Sequence, residues 1–270
     1  MKPKFLYSLI VGIVLVLAAG GCRRAPAPVV NPPSVETSLA STALALAKQT
    51  EKANPFTATP PVTSTATFTP TPKISVNGTS LEIQGDQSAI FIDHKAGIQL
   101  VIPAGWMPVR VNEDEYYKAF TSEVVTSNPA FSSRLTEIQD ANLDNFRLDA
   151  VDLREGHTVN GVLSDITVRF YPGDTRTLEQ WAQAEGKKKS AFKNYLFLNR
   201  GYPELTNGTR VLIIDRTWTQ DQTKKLFQRS VFFPLSTGTL VLEFYSNKDF
   251  KDTVLPDFEQ VVNSVSLLNP

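Results

Sequence analysis

The sequence predicts an α+β domain, a central antiparallel sheet flanked by helices, preceded by a signal segment and a disordered linker. Three observations carry this. The long strand-like runs RVLIIDRTWTQ, KLFQRSVFFPL and TGTLVLEFYS follow one another across connections of about three polar or small residues, which are long enough only for antiparallel neighbours. Thr177-Leu178-Glu179-Gln180 has the spacing of a capping box and predicts a helix running to about Lys193. Phe258, Val261, Val262 and Val265 form one apolar stripe behind Pro256, which predicts a last helix lying on the sheet, with the proline in its first turn.

The chain begins with Lys2 and Lys4, an uncharged apolar run from Leu9 to Ala19, and the small residues Ala19, Gly20 and Gly21 before Cys22. This is the three-part layout of a secretory signal, and the run is shorter than the ~20 residues of a spanning helix. Cys22 is the sole cysteine. Ala19-Gly20-Gly21-Cys22 resembles the lipobox of bacterial lipoproteins, which implies cleavage between Gly21 and Cys22 and a diacylglyceryl group, with chains such as palmitate, on the Cys22 sulfur. Several acyl chains anchor stably because each buried methylene contributes ~0.8 kcal/mol. The expected address is the cell membrane or the outer membrane, with the domain on the extracytoplasmic side. Arg23 stands where aspartate retains some lipoproteins at the inner membrane, which leaves both membranes open.

Residues 1–21 are therefore read as signal peptide and residues 22–72 as a lipidated linker. Between Arg23 and Pro72 lie nine prolines, ten threonines and no glycine. Proline fixes φ and removes backbone donors, so this composition favours solvated, extended chain over a core. Within it, Ser38 to Lys52 is rich in alanine and leucine and forms a helix only if something packs on it.

Residues 73–270 are read as one globular domain carrying 21 basic and 25 acidic side chains. A mildly acidic domain in a chain of zero net charge argues against nucleic acid as a partner, since such affinity rests on a positive surface. Two histidines and one cysteine are too few for a structural zinc site, and no cofactor motif is present. Asn77-Gly78 predicts a hairpin turn between ISV and TSLEI. Strands follow at Ala89 to Asp93 and at Gly97 to Pro103, where Ile98, Leu100 and Ile102 alternate with Gln99 and Val101. Helical turns are expected near Glu113 to Ser122 and Pro129 to Ala141, then strands at Phe146 to Arg154 and Ser164 to Tyr171 around a polar turn at Gly156 to Gly161.

The segment from Gly97 to Trp106, GIQLVIPAGW, resembles the opening of PsbP-like domains, a group that includes photosystem II accessory proteins and bacterial LpqN-type lipoproteins. The Thr177 helix, the meander and the terminal helix extend the resemblance over most of residues 87 to 270. It implies an α/β/α arrangement and non-catalytic binding or assembly roles. No transit peptide accompanies it.

Candidate sites are few. Trp106, Tyr116 and Tyr117 are expected to border a ligand or protein contact, because aromatic area marks binding surfaces; Trp181 and the meander aromatics are assigned to the core. Asp93-His94 lacks an accompanying nucleophile motif, so His94 reads as an exposed loop residue, and His157 as part of a polar turn. Asp140, Asp144, Asp149, Asp152 and Glu155 read as solvated strand and turn positions. The odd separation of Asp149 and Asp152 sends them to opposite faces of their strand. Glu113-Asp114-Glu115 lacks the alternation of a calcium loop. No residue is assigned a catalytic role. The expected function is a membrane-anchored binding protein, accessory to an envelope or membrane complex; the alternatives are a glycan hydrolase using paired carboxylates and a structural tether.

Overall fold

The computed structural model describes residues 73–187, 193–220 and 224–268, all within one compact unit spanning 68–270. The signal segment, Gly21, Cys22 and the linker helix lie outside the described residues. Eleven strands and five helices are described: β1 (Thr79–Ile83), β2 (Ala89–Asp93), β3 (Ile98–Ile102), β4 (Trp106–Val109), α1 (Asp114–Thr121), α2 (Glu123–Ser127), α3 (Pro129–Gln139), β5 (Phe146–Asp152), β6 (Asp165–Pro172), α4 (Leu178–Lys187), β7 (Lys193–Gly201), β8 (Leu212–Thr219), β9 (Lys225–Leu235), β10 (Gly238–Asn247), α5 (Lys251–Ser264) and β11 (Ser266–Leu267).

The expected α+β class holds, with a correction: there are two antiparallel sheets, not one. A seven-stranded sheet has the order β4-β5-β6-β10-β9-β8-β7, and a small one the order β1-β2-β3-β11. The predicted meander is β8-β9-β10, in register from Leu212 opposite Phe232 and Leu240 opposite Phe233. The division arises at Pro103-Ala104-Gly105, between β3 and β4. Gly105 has φ +87°, and a Cβ there would stand 2.9 Å from the Arg154 side chain, so only glycine makes this turn without strain.

One face of the large sheet, the small sheet and α5 share a core. Ile98, Leu100 and Ile102 of β3, Leu240, Leu242 and Phe244 of β10, and Val254, Phe258 and Val261 of α5 are all fully buried. Phe258 stacks on Phe244 with centroids 5.2 Å apart, so the apolar stripe lies where its spacing predicts. On the opposite face α1 to α3 cover β4 and β5 through Tyr116, Phe131, Leu135 and Val151. There α4 covers β8 to β10 through Leu178, Trp181, Leu212, Phe232 and Val241. Helices thus flank the sheet on both faces.

Three local expectations need correction. Asn77-Gly78 does turn, but Ile74 to Val76 is not a strand: Ser75 Oγ accepts from the Thr79 amide at 3.1 Å and closes a local turn, while Ile74 and Val76 remain exposed. The first hairpin closes instead at Asp86, whose Oδ1 accepts from the Ser88 amide at 2.9 Å. The Thr177 helix is described as far as Lys187, and Lys193, its expected end, already begins β7, a strand that helix-favouring lysines upstream conceal. Pro256 lies inside α5, not at its start; the preceding turn is held by Val254, which is fully buried.

Candidate functional site

Strand alternation places two kinds of side chain on the large sheet. On β6, β9 and β10, Ile166, Val168, Val231, Leu242 and Phe244 face the shared core. Their neighbours Asp165, Thr167, Gln228, Ser230, Glu243 and Tyr245 therefore face the other way. The ladder aligns these into a strip, with Asp165 opposite Tyr245, Thr167 opposite Glu243, and Tyr245 opposite Gln228. On this face the helices cover the two ends of the sheet, and between α3 and α4 the strip floors a groove of about 880 Å³.

Each helix supplies one charged residue to the floor. Pro129 begins α3, and Asn128 Oδ1 caps it by accepting from the Ala130 amide at 3.1 Å. Phe131, Leu135 and Ile138 bury one side of the helix, and Arg134 beside them reaches the sheet. Arg134 holds Asp149 with Nε and Nη2 at 3.0 and 2.8 Å, and Nη2 also donates to Asp165 at 2.9 Å and Thr167 at 3.0 Å. Glu137 lies one turn on, 3.6 Å from Nη1. The capping box of α4 is present, with Gln180 N donating to Thr177 Oγ1 at 3.2 Å and Thr177 N donating to Gln180 Oε1 at 2.8 Å. Leu178, Trp181, Ala182 and Glu185 form its buried stripe, and the acid in it pairs with Arg216 Nη2 of β8 at 2.6 Å.

From α4 the floor continues as a hydrogen-bonded chain. Arg216 Nη1 donates to Gln228 Oε1 at 3.4 Å. Gln228 Nε2 donates to Tyr245 Oη at 2.7 Å and to Glu243 Oε1 at 3.1 Å. Glu243 Oε2 accepts from Arg169 Nε at 2.9 Å. Trp218 meets Tyr245 edge-on, centroids 6.1 Å apart. Burial pushes the Asp165 carboxyl up to about 8; Arg134 opposes this and Asp149 adds to it. Burial, with Glu243 and Asp165 nearby, holds the Tyr245 hydroxyl well above its ordinary value. The groove thus presents oriented donors and acceptors beside aromatic rings, as polar ligand sites do.

The residues singled out from the sequence lie elsewhere. Gly21 and Cys22 are outside the described residues. Trp106 is buried in the core shared with α5, and its Nε1 donates to Asp257 at 2.9 Å. Tyr116 is buried in the other cluster, its hydroxyl donating to the Leu135 carbonyl at 2.9 Å. Tyr117 is exposed beside it, rings 5.6 Å apart. The structure does not bring Trp106 to the two tyrosines.

Asp149 and Asp152 do point to opposite faces, but both are buried, correcting the expectation of solvated positions. Asp152 pairs with Arg154 at 2.7 Å and with His157 Nδ1 at 2.6 Å. Burial alone raises its pKa, yet the hydrogen bonds from Arg154 and His157 outweigh it and hold the carboxyl below the usual range. Arg154 also bridges to Asp257, tying β5 to α5. Asp93 caps the turn after β2 and pairs with buried Arg147 at 3.1 Å, while His94 is exposed. Asp165, Gln228, Glu243 and Tyr245 went unnoticed in the sequence, since the signal that finds them is the ladder register. Among the described residues no three His, Cys, Asp or Glu side chains gather as metal ligands, and no helix is long and apolar enough to cross a membrane.

No family model and no curated protein matches the chain. Solved structures similar to it include the following three. Cyanobacterial PsbP from Synechocystis sp. PCC 6803 is 13% identical with a TM-score of 0.40, covering 68% of this chain and 95% of that one. LpqN of Mycobacterium tuberculosis, described as involved in cell envelope biogenesis, is 13% identical with a TM-score of 0.38, covering 70% and 90%. A Pseudomonas aeruginosa protein of unknown function is 14% identical with a TM-score of 0.34, covering 40% and 74%. The first two belong to the group that the Gly97 to Trp106 segment resembles.

Proposed function

We propose that this chain is an extracytoplasmic lipoprotein, anchored through Cys22 at the cell membrane or outer membrane. Its domain binds a partner or ligand in the groove between α3 and α4, as an accessory to an envelope or membrane complex. The observation that carries the binding role is the groove floor: polar and charged side chains from four strands and two helices meet on a sheet face where apolar packing would otherwise continue. Paired as they are, such groups contribute less to stability than apolar residues packed in their place, and a binding site accounts for their placement. The anchor rests on Ala19-Gly20-Gly21-Cys22 alone.

Glycan hydrolysis is the second reading, favoured by Asp165, whose raised pKa keeps a neutral carboxyl in the groove near pH 7. Against it, Asp149 is 0% exposed and both carboxylates are held by one guanidinium, which leaves no room for a sugar between them. Labelling growing cells with an alkynyl fatty acid tests the anchor: wild type incorporates it and Cys22→Ala does not, whereas equal labelling of both refutes lipidation at Cys22. Release of sugar from envelope glycans by the purified wild type, lost in Asp165→Asn, transfers the assignment to hydrolysis.

A further inference from the structure

The two edges of the large sheet are built differently. β4 is four residues long and contains Pro108, two ordinary ways of blunting an edge against further pairing. β7, at the other edge, is nine residues long, KNYLFLNRG, with no proline. Register irregularities against β8 between Lys193 and Leu196 and between Phe197 and Asn199 break its alternation. Three successive apolar side chains then face solvent: Leu196 is 55%, Phe197 42% and Leu198 48% exposed. Beside them, Phe197, Leu198 and Tyr195 rim an open depression of about 510 Å³ next to the end of α4. Among the described residues no strand pairs with the outer side of β7.

The apolar centre of the strand, Leu196-Phe197-Leu198, is symmetric about Phe197. An antiparallel two-fold pairing of two β7 strands centred there sets Phe197 opposite Phe197, Leu196 opposite Leu198, Tyr195 opposite Asn199, Asn194 opposite Arg200 and Lys193 opposite Gly201. At the centre apolar groups meet apolar groups, and neither flanking cation faces another, which is the self-complementarity that a two-fold interface demands. An unrelated peptide strand would have no need of this symmetry. We infer that the β7 edge is a docking surface for a second copy of this chain, with the two-fold axis passing at Phe197. A lipid anchor would confine copies to one surface and raise their effective concentration, which suits an interface built mainly on one strand.

Register-specific cross-linking tests this on the full chain in detergent. Single cysteines are placed at Phe197 (Phe197→Cys) or at Tyr117 (Tyr117→Cys), a comparably exposed control on α1. The unsubstituted chain reports any disulfide made by Cys22. Mild oxidation is expected to convert most of Phe197→Cys to a reducible dimer, at least tenfold more than Tyr117→Cys, and adding Leu198→Lys should abolish it. All three side chains are exposed, so an unchanged circular dichroism spectrum shows the fold is kept. Equal cross-linking at both positions, none at Phe197→Cys, or a dimer indifferent to Leu198→Lys overturns the inference, including where another protein covers β7.

Discussion

Asp149 and Asp165 accept hydrogen bonds from the same nitrogen of Arg134, at 2.8 and 2.9 Å. The two acids come from adjacent strands and the base from a helix, so this shared contact pins α3 to the sheet and forms one wall of the groove. It also crowds acids around one base, because a single guanidinium serves Asp149, Asp165 and the nearby Glu137, which adds to the burial that keeps Asp165 protonated.

Replacing Arg134 with Gln should cost about 3–5 kcal/mol of unfolding free energy, the usual loss when a buried ion pair is broken from one side. Chemical denaturation checks this. Combining Arg134→Gln with Asp149→Asn should recover part of the loss, since it removes one uncompensated carboxylate; additive losses would show that the groups are not coupled.

The Asp165 carboxyl gives stability a pH dependence of known sign. Its folded pKa, about 8, lies above the ordinary 3.8, so the folded state keeps a proton that the unfolded chain has lost. The site's contribution is therefore fully present below about pH 4 and falls as pH rises through 8. Compared with Asp165→Asn, the wild type should lose stability progressively between pH 5 and 8 and then level off. Parallel pH profiles for the two chains would contradict the placement of Asp165.

Two glycine substitutions should diverge. Gly105→Ala meets both a positive φ and the Arg154 side chain at 2.9 Å, whereas a Cβ at Gly85 meets nothing within 4 Å. Gly105→Ala should lower stability by more than about 1 kcal/mol, while Gly85→Ala should be neutral or stabilising by a few tenths. Thermal melts of the pair decide it.

Thr177→Ala removes the acceptor for the Gln180 amide and should cost about 1 kcal/mol. Because α4 carries Glu185 to Arg216, hydrogen exchange should quicken in α4 more than in α5.

Elements governed by local pattern were legible in the sequence. The meander follows from β-rich runs with short joins, the start of α4 from four residues around Thr177, and the face of α5 from its valine spacing. What the sequence concealed depends on partners distant along the chain. Asp149 reads as solvated because nothing nearby announces Arg134, fifteen residues upstream and on another element, and Asp152 because Trp106 opposite it and Asp257, which holds Arg154 beside it, lie far along the chain. The groove floor escaped for the same reason: Asp165, Gln228, Glu243 and Tyr245 each look like the wet side of a strand until the ladder sets them side by side between two helices. Trp106 and Tyr116 misled in the other direction, since their size signals burial as readily as binding.

The most direct test places a photo-cross-linking amino acid at Glu137, on the groove rim, or at Tyr117, on α1 away from it, in the full chain within native membranes. Groove binding predicts a discrete ultraviolet-dependent adduct from the Glu137 position that is absent at Tyr117 and is lost when Arg216→Ala and Glu243→Ala disrupt the floor. No adduct at Glu137, or the same adduct from both positions, would contradict it.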